Sequence, residues 1–125
     1  MTESLRCEIF PGDLDQTVAF YVGVLGFRLT RDDRATDRAY IALERGTVRI
    51  GAAARPEIEH PEARRPPIGV ELVLEVDDLD AERARVADAG CPVTEDVVRR
   101  PWGLRDLRLL DPSGHYWRIT SREPS

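Results

Sequence analysis

A chain of 125 residues, 42% hydrophobic and 33% charged, has the composition of one globular domain and not of a disordered segment. Its net charge of −5, with acids and bases interspersed, leaves no basic stripe for nucleic acid, and no apolar run approaches the roughly 20 residues of a membrane span. The N-terminal "MTESLRCEIF" lacks the basic start and apolar stretch of a signal peptide, so a cytoplasmic location is expected. All 18 basic residues are Arg, which reads as coding bias more than as physical selection. Cys7 and Cys91 are too few for a disulfide scaffold, and each lies in or beside an apolar segment, as reduced thiols do.

The first element is the alternating "LRCEIF", with Leu5, Cys7 and Ile9 on one face and Arg6, Glu8 and Phe10 on the other. In "PGDLDQTVAFYVGVLGF", Asp13 is placed to cap a helix and Gly26 to end it; Leu14, Val18, Tyr21, Val22 and Leu25 recur at three- and four-residue steps. A short extended segment and the hairpin "AYIALERGTVRIGA", turning near Arg45-Gly46, come next. Residues 54–69 hold four prolines and many charges and read as a linker or surface arm. "VELVLEV" then alternates Val70, Leu72, Leu74 and Val76 against Glu71, Val73 and Glu75. "VDDLDAERARVADAGCPV" repeats the earlier motif, capped by Asp78 and stopped by Gly90; Leu79, Ala84, Val86 and Ala89 form its weaker apolar side, with Glu82, Arg83, Arg85 and Asp88 facing water. The last hairpin, "LRLLDPSGHYWRIT", turns at Asp111-Pro112-Ser113-Gly114. The chain is therefore an α+β fold written twice as βαβββ: module 1 over 4–54, a linker over 55–68 and module 2 over 69–122.

This doubled order, with "FYVGVLGF" closing the first helix and "LLDPSGHYWRIT" closing the chain, resembles the vicinal oxygen chelate superfamily, which includes glyoxalase I, extradiol dioxygenases, fosfomycin resistance enzymes and bleomycin resistance proteins. The resemblance implies a curled mixed sheet around a cleft, helices on the outer face, and commonly a homodimer. It also implies that metal-dependent members draw four ligands, His and Glu and sometimes Gln or Tyr, from the first and last strand of each module. Carried over, those positions are Arg6 and Glu71, each seven residues before its capping Asp, and Arg49 and Arg118, matched through the shared Arg-Ile of "TVRIG" and "YWRIT". A guanidinium has no lone pair to give, so one carboxylate among three arginines predicts no metal and no cofactor. His60, in the linker, and His115, after a tight turn, read as surface residues and not as ligands.

Within the superfamily, "RPWG" at Arg100–Gly103 resembles the bleomycin resistance branch, which is metal-free and protects by sequestering a drug at a dimer interface. Sequestration needs flat apolar surface and a few polar groups. Candidate walls are Trp102, Phe10, Tyr40 and Tyr116. Trp102 has two readings, a ligand platform or a packing residue at a subunit contact; Trp117, Phe20, Tyr21 and Phe27 read as core. The tetrad Arg6, Arg49, Glu71 and Arg118 also has two: an ion-pair group that holds the modules in register, or an anion clamp for a ligand. The expectation is a binding protein for a small aromatic or natural-product ligand, without nucleic-acid or membrane partners and with no catalytic residue. The alternatives are a lyase or isomerase using Glu71 as base, and a ligand carrier or sensor.

Overall fold

The computed structural model describes residues 3–58 and 67–122. Residues 59–66, which include His60 and most of the proline-rich stretch, lie outside them. The chain divides into two compact units, residues 1–59 and 60–125. Each has the same plan.

In the first unit β1 (Cys7–Ile9) leads to α1 (Leu14–Gly23), then β2 (Arg28–Asp33), β3 (Tyr40–Arg45) and β4 (Val48–Ala53). In the second, β5 (Leu72–Val76), α2 (Leu79–Asp88), β6 (Glu95–Arg99), β7 (Arg105–Leu110) and β8 (Tyr116–Ser121) repeat the order. A 3-10 turn, Pro56–Ile58, follows β4. The sheets are mixed and four-stranded, β1-β4-β3-β2 and β5-β8-β7-β6, with the first and last strand of each unit pairing in parallel. The helix supplies the crossover that a parallel pair requires. This is the α+β fold of two tandem βαβββ modules expected from the sequence.

Local chemistry explains the elements. Asp13 and Asp78 sit in extended backbone and accept from the amides of Gln16 and Ala81, satisfying donors that the first helical turn leaves over. Gly46, at φ 58, makes the β3–β4 turn. Asp111 organises the β7–β8 turn: its Oδ1 accepts from the amides of Ser113 and His115, while its Oδ2 lies 2.7 Å from His115 Nδ1. His115 is thus largely buried against Asp111, its side chain 14% exposed, and is not the surface residue expected.

Alternation sorts the strands. Ile9, Ile41, Leu43, Ile50 and Ala52 are buried in the first unit, as are Leu74, Leu107, Leu109, Trp117 and Ile119 in the second. Phe20, Tyr21 and Phe27 are buried too, with Tyr21 edge-on to both phenyl rings. Each such Leu, Ile or Phe side chain stabilises the fold by roughly 2 kcal/mol relative to exposure. Trp117 is core, as its side of β8 predicts. The helices depart from the expected faces. Val22 is 40% exposed, and α1 buries Leu14, Thr17, Phe20 and Tyr21. In α2 the buried side is Leu79, Glu82 and Val86, so Glu82 is not on the wet face, while Ala84 and Ala89 are exposed. The i, i+3, i+7 row through Leu79 includes position 82 whatever residue stands there.

Candidate functional site

On each sheet the face opposite the buried one carries the chemistry. In the first unit Arg6, Glu8, Tyr40 and Arg49 share it. Arg6 Nε lies 2.7 Å from the Glu8 carboxylate, and the Tyr40 hydroxyl donates to the same carboxylate at 2.9 Å. Burial first, and then the bond to Glu8, push the Tyr40 phenol up. The Arg31 guanidinium stands over the Tyr40 ring, 5.9 Å from its centre. Arg49 donates to the Ser4 hydroxyl at 3.0 Å and approaches Glu44 at 4.0 Å. Beneath the Glu8–Tyr40 bond is Gly51, where an added Cβ would collide with the Glu8 carboxylate and the Tyr40 hydroxyl.

In the second unit Arg118 and Glu71 meet at 2.7 Å, their side chains 22% and 31% exposed. Glu71 also lines a shallow, open depression with Pro67, Gly69 and Val70. Arg118 Nε is buried and has no hydrogen-bond partner among the described residues. Directly across the ladder from Arg118 is Arg108, which reaches Asp106 at 3.4 Å. The Asp106 side chain is 1% exposed and also holds Arg100, at 2.9 Å from its Nη2; Glu95 pairs with Arg100 from the outside. Burial pushes the Asp106 carboxyl up, but hydrogen bonds from Arg100 and then Arg108 outweigh it and hold its pKa below the usual value. Burial likewise opposes the Arg108 charge, yet bonds to Asp106 and Tyr116 leave its pKa raised.

The ladders correct one correspondence. Glu8 pairs with Gly51 in β4, and Val73 pairs with Arg118 in β8. Since Glu8 and Val73 each stand five residues before a capping Asp, Arg118 is matched in the first unit by Gly51, and Arg49 by Tyr116. The shared Arg-Ile letters misled by two residues. A two-residue error keeps the face, so Arg49 still lies on the same side as Glu8, but not at the equivalent place. The metal positions implied by the resemblance are then Arg6, Gly51, Glu71 and Arg118. They offer one carboxylate, already paired with a guanidinium, and do not fit a divalent ion. Among the described residues no group of three or more His, Cys, Asp or Glu is placed to hold one.

The four aromatic candidates differ in setting. Phe10 is 39% exposed with the Arg55 guanidinium 5.6 Å above its ring. Tyr40 is engaged with Glu8 and Arg31, and Tyr116 with Arg108. Trp102 is 56% exposed at the tip of the β6–β7 loop. That loop is closed by Arg100 N–H donating to Leu104 O at 2.8 Å and Gly103 N–H donating to Arg100 O at 3.0 Å. The structure brings Glu71 to Arg118 in one unit and Tyr40 beside Arg6, through Glu8, in the other. Glu8, Asp106 and Arg108 were not singled out from sequence, and Arg100 only as the first residue of "RPWG", although "RDLRLL" alternates Asp106 and Arg108 against Leu107 and Leu109 as plainly as the strands that were read.

The sequence model of the Glyoxalase/Bleomycin resistance protein/Dioxygenase superfamily matches residues 4–119. Solved structures share the fold across nearly the whole chain. A bleomycin resistance determinant encoded on the transposon Tn5 is 25% identical, with a TM-score of 0.79 over 98% of this chain and 99% of that one. TioX from Micromonospora sp. ML1 is 24% identical, with a TM-score of 0.77 over 98% and 100%. Lactoylglutathione lyase from Agrobacterium tumefaciens is 18% identical, with a TM-score of 0.72 over 98% and 95%. No match among curated proteins is found.

Proposed function

Because the chain belongs to the glyoxalase/bleomycin resistance protein/dioxygenase superfamily, we propose that it is a metal-free binding protein of that group. It takes a small aromatic or natural-product ligand and acts by sequestration, as a homodimer in the cytoplasm. One observation carries the reading. At the position where the resemblance expects a metal ligand stands Arg118, paired with Glu71 at 2.7 Å and left with a buried Nε that has no partner among the described residues. A guanidinium cannot donate electrons to a metal, but an orphaned buried donor is completed by an acceptor on a ligand. Trp102, held 56% exposed on a closed loop, adds a flat surface suited to a planar ring. The likeness to a bleomycin resistance determinant points the same way.

The lyase or isomerase reading, with Glu71 as base, is disfavoured because its carboxylate is engaged by Arg118. Fluorescence titration with bleomycin and equilibrium dialysis against Zn²⁺ and Ni²⁺ test the proposal together. Trp102-dependent quenching with no stoichiometric metal is the expected result. Tight binding of one ion per chain would refute it, and quenching that persists unchanged in Trp102→Phe would remove Trp102 from the site.

A further inference from the structure

We propose that the ion pair of half-buried Arg100 with buried Asp106 is a positioning device that holds Trp102 out for ligand. The inference rests on the binding role given to Trp102 above. Arg100 has two jobs in one residue. Its backbone closes the loop, donating to Leu104 O and accepting from Gly103 N–H. Its side chain folds back onto β7, where Nε lies 3.1 Å from both Asp106 oxygens and Nη2 lies 2.9 Å from one. The orientation of the loop is thereby tied to a strand whose next residue, Leu107, is fully buried. Gly103, at φ 94, supplies a turn that a side chain would strain, so the path between the two ends is fixed as well.

Two physical points favour orientation over stability as the reason for the pair. A buried ion pair is a weak stabiliser, and apolar residues of similar volume often serve the fold equally well. An exposed indole on a loose loop samples many orientations in water, and ordering it again on binding costs affinity; a loop already held does not incur that cost. Asp106 keeps a second partner in Arg108, so loss of Arg100 does not strand its charge.

The test labels both tryptophans with 5-fluorotryptophan and follows their two ¹⁹F resonances, with Trp102→Phe giving the assignment. In Arg100→Met the Trp102 resonance should narrow and move at least half-way to its position in the urea-unfolded protein, while the Trp117 resonance stays. Arg100→Lys keeps the charge but not the two-pronged hold, and should move the Trp102 resonance part of that distance; it decides the matter if the Met variant does not fold. Affinity for bleomycin should fall about tenfold in Arg100→Met. A Trp102 resonance unmoved in the folded variants overturns the inference, whatever bleomycin does. A wild-type protein that ignores bleomycin refutes the binding reading instead, and the ¹⁹F result then decides the positioning role alone.

Discussion

The two units have one topology and opposite electrostatic designs. The pairings make Tyr40 and Asp106 equivalent, each opposite a β4 or β8 residue two beyond the Gly51/Arg118 place. They also match Ala42 with Arg108, Gly51 with Arg118 and Glu8 with Val73. In the first unit small residues at 42 and 51 leave room for an acid on the edge strand, Glu8, to reach a phenol. In the second, two arginines fill that room, and the acid has moved to the third strand as the buried Asp106. A duplicated scaffold thus keeps its buried face apolar, though Ile50 is matched by Trp117 and Ala52 by Ile119, while the other face is rewritten. The half-exposed Glu8–Tyr40 arrangement leaves each member free to find water. The arginine-rich one gathers two guanidiniums, 18% and 21% exposed, on a carboxylate that is buried.

If that contrast is right, removing the acid at the two equivalent networks should have unequal consequences. Asp106→Ala takes the buried carboxylate from Arg108 and leaves Arg100 with Glu95 alone, and should cost about 1–3 kcal/mol in urea unfolding. A loss below 1 kcal/mol would mean that the second-unit network is not a tightly closed one. Asp106 also gives the contrast a pH signature. Its folded pKa is lowered, so its stabilisation is complete above the unfolded carboxylate value of about 3.9 and is lost as pH falls through the lower folded value. Asp106→Asn should therefore flatten the fall in stability as pH drops below the unfolded carboxylate value of about 3.9. An acid limb parallel to wild type would remove Asp106 as its source.

Next in size is Glu71→Gln. The pair with Arg118 is partly solvated, and screening leaves about 1 kcal/mol to lose. Tyr40→Phe removes one hydrogen bond to a half-exposed carboxylate and should cost about 0.5–1 kcal/mol. If Tyr40→Phe proved the more damaging of this pair, the first unit would be the more closed network, and the comparison would reverse.

These contrasts also show what the residue pattern alone could convey. The repeat was legible because Asp-Leu-Asp before an apolar stretch and Gly after it are local signals, each tied to backbone groups a few residues away. The sorting of Trp117 from Arg118 was legible because a strand has period two. The match of Arg49 to Arg118 failed because strand register depends on pairing across dozens of residues, from Cys7 to Ile50 and from Leu72 to Trp117, and no local motif encodes it. Glu82 misled for a related reason: charge argues for water, but the helix row it shares with Leu79 and Val86 argues for burial, and packing decided. Asp106 was readable in its strand's alternation, but its two partners, Arg100 and Arg108, lie on opposite sides of it in sequence, and only the fold brings both guanidiniums to one carboxylate.

The smallest expected effect isolates Glu8. Burial pushes the Cys7 thiol up, and the neighbouring Glu8 charge pushes it further; the Cys91 thiol is raised by burial alone. Thiolate, not thiol, reacts with disulfide reagents, so both cysteines should label more slowly than free cysteine at pH 8. Glu8→Gln removes one of the two causes at Cys7 and neither at Cys91. Its labelling of Cys7 should quicken by less than about threefold, with Cys91 unchanged as the internal control. Equal acceleration at both would mean that the substitution loosens the protein at large. No acceleration at Cys7 would mean that Arg6, which pairs with Glu8 at 2.7 Å, already cancels the carboxylate's field along β1.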